Sequence, residues 1–489
     1  MPRWLSGTLV FVSSGSVLVL EILAGRVLAP FVGVSLNTFT GIIGVILAGI
    51  AAGAWLGGRL ADRHDPRRLL PGALVLGGAS AIAAVPLVRL FGSADVRPGP
   101  SAIVFLAAVG FFLPSMLLSA VTPLVVKIEL ADPAHTGQVV GTLSALGTAG
   151  SLLGVFATGY VLVAAFPTTP VVVALGSLLV GGGVALWLAT GRTLRPAVVA
   201  AGVLVAGFAS LGAVAIDDRC DIETAYFCAR VRLDTMREHG RILQLDTLEH
   251  SYVDIVDPTF LGHSYANTLA DVLAVMTPAP EPIDVVHVGG GGFTMPRYLA
   301  ATRPGTHSTV LELDEAIVEL GEAELGLELG PDLVAVTGDA RTNARAVPRD
   351  SADVVIGDAF GGRSVPWHLT TVEFVRDIDR ILRPDGLYVL NVIDRNSLGF
   401  ARAELQTLRD VFPHVAVVAS EPTLAFAGGG NLILVGSHRP IDAAAITDAN
   451  RARGDGRVAR ADDAWLDDWL GDADVLTDEH APVDQLISG

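Results

Sequence analysis

The chain has 489 residues, 51% of them hydrophobic, and a formal net charge of −18. That length leaves room for two or three domains, and the acidity argues against nucleic acid as a partner, because phosphate binding needs clustered Lys and Arg. The charge is unevenly spread: residues 1–216 carry 11 Lys+Arg against 6 Asp+Glu, whereas residues 217–489 carry 22 against 45. An apolar membrane part followed by an acidic soluble part accounts for this split, with the lipid bilayer as the first expected partner.

The apolar part divides into seven segments near 7–29, 38–60, 69–91, 101–125, 138–163, 168–190 and 196–216. Each has the length of about 20 residues that a bilayer requires. A secretory signal peptide would give one short apolar run and a cleavage site, so that reading fails. An all-α, multi-pass transmembrane domain over 1–216 is expected. In its first span, "LVLEILAGRVLAP", Glu21 is an acid within apolar surroundings, which is costly and normally finds a partner. Arg26, five residues on, is the candidate.

The densest basic cluster, "GGRLADRHDPRR", lies between spans two and three and holds Arg59, Arg63, Arg67 and Arg68. Short cytoplasmic loops carry the excess of Lys and Arg, so this loop is placed inside, with Arg3, Lys127, Arg192 and Arg195. Arg26, Arg89 and Arg97 are left outside, eight positive residues against three. Seven spans then put the following domain outside the cytoplasm. A cytosolic cofactor would require it inside, and the sequence leaves the side open. The basic loop itself is similar to the "G-x-L-a-D-r" signature of major-facilitator transporters, in which that loop is cytoplasmic.

Two cysteines, Cys220 and Cys228, stand just past the last span in "DDRCDIETAYFCARV". Zinc normally needs four ligands and no His cluster accompanies them, so no metal site is expected. They form a disulfide if the segment faces an oxidising space and otherwise remain two thiols. Residues 217–280 read as a small β-rich lead-in region with the hairpin "GRILQLDTLEHSYVD", and residues 281–489 as an α/β domain.

In that domain "IDVVHV", "STVLELD", "LVAVTGDA", "ADVVIGDAF" and "GLYVLNVID" alternate with helical stretches such as "EAIVELGEAELGL" and "TVEFVRDIDRILRPDG". Short apolar strands separated by helices predict a parallel sheet covered on both faces, a doubly wound Rossmann-like domain with its ligand at the carboxyl ends of the strands. Three features meet at those ends. Gly289, Gly290, Gly291 and Gly292 form the turn after the first strand, where main chain can approach a ligand closely. Glu312 ends the second strand, 20 residues past Gly292, where an acid can accept hydrogen bonds from both ribose hydroxyls. Asp339 ends the third, placed to take the exocyclic amine of an adenine. Together they predict an adenosine-type site. Asp358 ends the fourth strand beside a Gly-Gly pair and is the candidate base, although capping the turn would equally explain it. His250, His263 and Tyr265 lie in the hairpin-to-helix region and are further pocket candidates. Trp465 and Trp469, four apart in "DDAWLDDWL", are expected to dock on their own domain.

With these motifs in place, residues 217–400 resemble the spermidine synthases, polyamine aminopropyltransferases that are themselves similar to S-adenosylmethionine-dependent methyltransferases. "GRILQLDTLEHSYVD" resembles their "l-x-L-D-g-x-x-q" hairpin, and "HLTTVEFVRDIDRILRPDGLYVLNV" their "L-x-t-x-e-F-y-x-x-v-x-r-x-L-x-p-x-G" segment. "EILAGRVLAPFVG" and "VLTDEHAPVDQL" look like the membrane-fused members of the group. The resemblance implies decarboxylated S-adenosylmethionine or S-adenosylmethionine as ligand, with Glu312 on the ribose, Asp339 and Ala340 on the adenine, and Asp358 as the first acid of "D-x-x-D-P". The diamine end departs from the pattern. Gly292 stands where the acid of "G-G-G-D-G" belongs, Gly361 at the second Asp of "D-x-x-D-P", Ala266 at the His of "Y-H-E" and Phe227 at the Gln of "Y-Q". The expectation is a nucleoside-type ligand with altered or absent aminopropyl transfer, in a chain that could pair as a homodimer. Two alternatives stand beside it. One is an S-adenosylmethionine-dependent methyltransferase, the other a membrane transporter or sensor whose synthase-like domain is regulatory or vestigial.

Overall fold

The computed structural model describes residues 2–93, 99–130, 136–191, 195–216, 219–360, 365–395 and 397–488. Arg97, Arg192 and Gly361 lie outside the described residues. Two compact units divide the chain: Met1–Arg230 with Leu245–Thr247, and Val231–Gln244 with Leu248–Gly489.

The first unit holds seven helices long and apolar enough to cross a membrane: α1 (Arg3–Val32), α2 (Leu36–Arg63), α3 (Pro66–Gly92), α4 (Pro100–Glu129), α5 (Thr136–Ala165), α6 (Thr168–Ala189) and α7 (Pro196–Ala215). Side chains start two of them. Ser35 accepts a hydrogen bond from the Thr38 amide ahead of α2, and Asp65 accepts one from the Arg67 amide ahead of α3. Between apolar helices in lipid there is little hydrophobic gain, so association depends on close backbone approach at small residues. That is what the glycines supply. A Cβ on Gly150 of α5 would stand 2.1 Å from the Phe11 carbonyl oxygen of α1, and one on Gly53 of α2 would stand 2.1 Å from the Met116 carbonyl oxygen of α4.

The expected Glu21–Arg26 pair is not formed. Arg26 donates instead to the carbonyls of Thr224 and Ala225 and lies 3.4 Å from the Glu223 carboxylate. A guanidinium at a helix end reaches several acceptors there, whereas Glu21 lies five residues back along the span. Cys220 and Cys228 are joined in a disulfide, which resolves the alternative between bridge and free thiols.

Strands β1 (Ile222–Glu223), β2 (Cys228–Leu233), β3 (Gly240–Leu245) and β4 (Leu248–Asp254) form a four-stranded sheet in that order. The hairpin "GRILQLDTLEHSYVD" is thus present, with Asp246 at its turn in the left-handed region, φ +52°.

The second unit is built on an eight-stranded sheet in the order β12-β10-β11-β9-β8-β5-β6-β7. Its strands are β5 (Asp284–Val288), β6 (His307–Glu312), β7 (Leu333–Thr337), β8 (Ala352–Gly357), β9 (Leu382–Asp394), β10 (His414–Ser420), β11 (Gly430–Ser437) and β12 (Arg457–Arg460). The five strands read from sequence pair in parallel, with β5 between β6 and β8. The remaining three extend the sheet antiparallel beyond β9, a departure from the all-parallel expectation. Helices α13 (Gly399–Arg409) and α14 (Ala443–Arg453) lie in the β9–β10 and β11–β12 connections, and β10 returns to pair with β11 directly.

Alternating residues separate the two faces. Val286, Val288, Val355, Leu390 and Leu434 pack with α12 (Val372–Ile381), α13 (Gly399–Arg409) and Trp469 of α15 (Asp463–Leu470). Val285, Val354, Ile356, Val389 and Ile433 pack with α8 (Ser264–Met276), α9 (Thr294–Thr302) and α14 (Ala443–Arg453). Between these, α10 (Glu315–Glu324) follows β6 and α11 (Ala340–Ala346) follows β7. Trp465 and Trp469 stack at 5.7 Å, and the Trp469 indole donates to the Leu424 carbonyl at 3.1 Å, so the pair docks on its own domain as expected.

Replacing a glycine at a helix contact should be costly and replacing an open one should not. Gly150→Val is expected to destabilise the detergent-solubilised chain by about 1–3 kcal/mol, the usual cost of overpacking. Gly181→Ala, with nothing within 4 Å of its added Cβ, should leave the thermal midpoint unchanged or raised. Thermal unfolding of both variants checks this.

Candidate functional site

Chain order makes β5 the switch point of the sheet, because β6 lies on one side of it and β8 on the other. In open α/β sheets a crevice forms outside the carboxyl ends of the strands at such a point. Gly289–Gly292, Glu312, Asp339 and Asp358 all fall at those ends.

None of the four glycines has room for a side chain. Gly289 sits at φ +94°, and a Cβ there would be 2.5 Å from the Asp358 carbonyl oxygen across the β5–β8 crevice. A Cβ on Gly290 would meet Phe293 and Val310 at 3.0 Å, and one on Gly291, at φ +51°, would meet the Ser251 hydroxyl at 2.8 Å. At Gly292 the backbone is ordinary, but a Cβ would lie 2.7 Å from the Cβ of Ser251. The Ser251 hydroxyl also accepts a hydrogen bond from the Gly292 amide at 2.9 Å. A β4 side chain therefore crowds the Cβ position at the residue where the resemblance calls for an acid.

Glu312 is only 8% exposed. One carboxylate oxygen accepts from the Gly290 and Gly291 amides at 2.7 and 3.2 Å, and the other accepts from the Asp314 amide at 3.0 Å. Burial pushes its carboxyl above the usual range, and these three amides pull against that shift. The oxygen facing Asp314 accepts a single bond and keeps a lone pair for a hydroxyl donor.

Asp339 caps α11. One oxygen accepts from the amide and hydroxyl of Thr342, both at 2.8 Å, and the other lies 2.9 Å from His368 Nε2. Burial opposes ionisation here, but the bonds from Thr342 and His368 prevail and hold the carboxyl below its ordinary value. Ala340, the next residue, is buried. Arg341 then makes a bidentate pair with Asp478 at 2.7 Å, and Asp478 also accepts from the Thr371 hydroxyl at 2.8 Å. The segment "VLTDEHAPVDQL" thus ties α11 to α12.

On the opposite side of the glycine turn, the Asp358 carboxylate accepts from Asn391 Nδ2 at 3.0 Å and from the Tyr265 hydroxyl. Asn431 Nδ2 in turn donates to Asn391 Oδ1 at 3.0 Å. Burial pushes Asp358 up to about 6 despite those donors. The Tyr265 hydroxyl is raised well above its ordinary value by burial and by the adjoining Asp358. His263 stacks on the Tyr265 ring at 5.8 Å, and His250 meets Phe360 edge-on at 6.4 Å. Nδ1 of His250 and Nε2 of His263 are shut off from solvent without a hydrogen-bond partner among the described residues. Burial and the neighbouring His263 pull His250 down to about 4, so its ring is neutral at pH 7. Asp358 is a bonded, low-dielectric carboxyl within a network, not merely a turn cap.

Four of these residues were not picked out by sequence reasoning as parts of the site: Ser251, His368, Asn391 and Asn431. Each reaches its partner from 29 to 41 positions away, and no local pattern marks such a pairing. Of the four diamine-side departures, Ala266 is buried in α8, Phe227 belongs to the first unit and Gly361 lies outside the described residues.

No family model matches the chain. A polyamine aminopropyltransferase of Vibrio vulnificus is 31% identical over 147 residues, which is 30% of this chain and 47% of that protein. One from Chromobacterium violaceum is 27% identical over 158 residues, 32% of this chain and 59% of that protein. The chain thus spans about half the length of the curated relatives it matches. Among solved structures, a probable spermidine synthase from Corynebacterium glutamicum matches at 30% identity and a TM-score of 0.49, covering 52% of this chain and 94% of that one. The chain carries a spermidine synthase-like domain of the Rossmann-like α/β type, preceded by seven membrane-length helices.

Two outcomes follow from this geometry. Gly292→Asp should destabilise the chain by about 1–3 kcal/mol through the clash with Ser251, and adding Ser251→Gly should recover most of that loss in a thermal-unfolding comparison. For Asp358, the folded chain holds a proton that the unfolded chain has released between about pH 4 and pH 6. Wild type should therefore lose stability relative to Asp358→Asn as pH rises through that window, and the gap should stay constant above it. His250 titrates with the opposite sign, so the difference between the two proteins, not either curve alone, is the quantity to measure.

Proposed function

We propose that the second unit binds an adenosine-type ligand and has given up aminopropyl transfer to a diamine. The observation that carries this reading is Ser251. It lies 2.7 Å from where a Cβ at position 292 would stand, at the residue where a diamine-binding acid is missing, while Glu312 and Asp339 are kept at the ends of β6 and β7. The residues present fit a nucleoside. A turn with no room for any Cβ lets its backbone lie against a ribose. Glu312 is already oriented by three amides to accept from ribose hydroxyls, and Asp339 stands at the end of the next strand for an adenine amine, with Ala340 against the ring.

Decarboxylated S-adenosylmethionine or S-adenosylmethionine, when bound, supplies an electrophilic carbon beside a sulfonium. Transfer to a diamine would further require carboxylates to hold the ammonium groups in line and to take up the proton of the attacking nitrogen. Asp358 stands at the end of β8. Its buried network with Tyr265 and Asn391 suits accepting a single proton and does not suit binding a dication. The same inventory would serve a methyltransferase, which needs no diamine acids, and that is the second reading.

Calorimetry on the purified full chain in detergent separates these. With 5′-methylthioadenosine as the probe, wild type should bind and Glu312→Ala should weaken binding by about 10–100-fold, the range expected for lost bonds to a charged group. Decarboxylated S-adenosylmethionine plus putrescine should give no spermidine. Measurable spermidine formation would sink the loss of transfer, and a clear preference for S-adenosylmethionine over its decarboxylated form would favour the methyltransferase. Equal binding by wild type and Glu312→Ala would remove the nucleoside reading.

A further inference from the structure

The two ends of the membrane unit differ in a way that bears on where the nucleoside site works. At one end Lys127 pairs with Asp62 at 2.8 Å, and Ser6 donates to Glu129 at 2.5 Å. The starts of α1 and α3 and the ends of α2 and α4 therefore lie together, with Arg59, Arg63, Arg67 and Arg68 among them. At the other end the described arginines are turned onto the chain, with Arg219 over the Phe31 ring at 5.2 Å. Arg26 donates to the carbonyls of Thr224 and Ala225. Arg89 donates to the carbonyls of Ala213 and Ile216 and to the Thr169 hydroxyl. Lys and Arg are thus concentrated at one end of the membrane unit, and that basic end belongs in the cytoplasm.

A second observation is independent of charge. The disulfide between Cys220 and Cys228 belongs to the arginine-poor end, immediately after α7. Disulfides persist in oxidising compartments and are rare in the cytosol. Starting from a cytoplasmic α2–α3 loop, five further crossings bring residue 216 to the same non-cytoplasmic side. No described helix after α7 is long and apolar enough to return the chain.

We infer that the spermidine synthase-like domain lies on the non-cytoplasmic side and that its site takes an adenine nucleoside there and not in the cytosol. The ligand half of this inference rests on the nucleoside reading above.

The test uses the full chain in living cells. A phosphatase active only outside the cytoplasm, and separately a fluorescent protein that folds only inside, are fused at residue 489. A membrane-impermeant maleimide is applied to intact cells with and without reductant. Radiolabelled 5′-methylthioadenosine is offered to intact cells and to inside-out vesicles, for wild type and Glu312→Ala. The expected result is an active phosphatase, labelling of Cys220 and Cys228 only after reduction, and nucleoside bound by intact cells at a level at least about tenfold above Glu312→Ala. A fluorescent fusion with an inactive phosphatase, or nucleoside bound by inside-out vesicles alone, would overturn the inference even if the site is a nucleoside site. An active phosphatase with no nucleoside bound in either orientation would support the side and overturn the ligand, together with the nucleoside reading.

Discussion

The candidate site depends on one carboxylate. Glu312 ends β6 buried, a state that is costly for an acid unless hydrogen bonds hold its charge. The amides of Gly290 and Gly291 hold one of its oxygens and the Asp314 amide the other. The turn after β5 is thereby locked to the end of β6, and its left-handed residues, Gly289 and Gly291, follow from that path. Because Gly289 also lies against the Asp358 carbonyl, the same turn sets the spacing to β8. An acid at 312 is a ligand candidate and a clamp on its own binding loop.

Around this clamp the two sides of the crevice have separate chemistry. At the end of β7, Asp339 is kept ionised by bonds from Thr342 and His368. At the end of β8, the Asp358 carboxyl is pushed up by burial. Pairs of acids whose surroundings drive them apart are a common arrangement in functional sites. Here the difference separates a charged acid at the end of β7 from one at the end of β8 suited to holding or accepting a single proton.

The membrane unit solves a different problem with the same residue type. Its glycines permit carbonyl-to-helix approaches that side chains would prevent, as Gly150 does against Phe11. Glycine in the site lets the turn pack against β4 and β8, and glycine in the spans lets one helix pack against another. Composition alone cannot tell these uses apart.

Periodicity sufficed for the seven spans and for the five parallel strands, because long apolar runs and strand–helix alternation are local properties of the chain. The spacing of Glu312 from the glycines was legible for the same reason. The antiparallel strands β10 to β12 were not, since their pairing depends on which edge of the sheet is open. Nor was Ser251, whose place against Gly292 comes from a hairpin 41 residues earlier. The sequence by itself determined which residue types stand at the strand ends and which acids are missing. Only the tertiary structure decided what fills those gaps, because a side chain's neighbours across a crevice are set by packing and not by spacing along the chain.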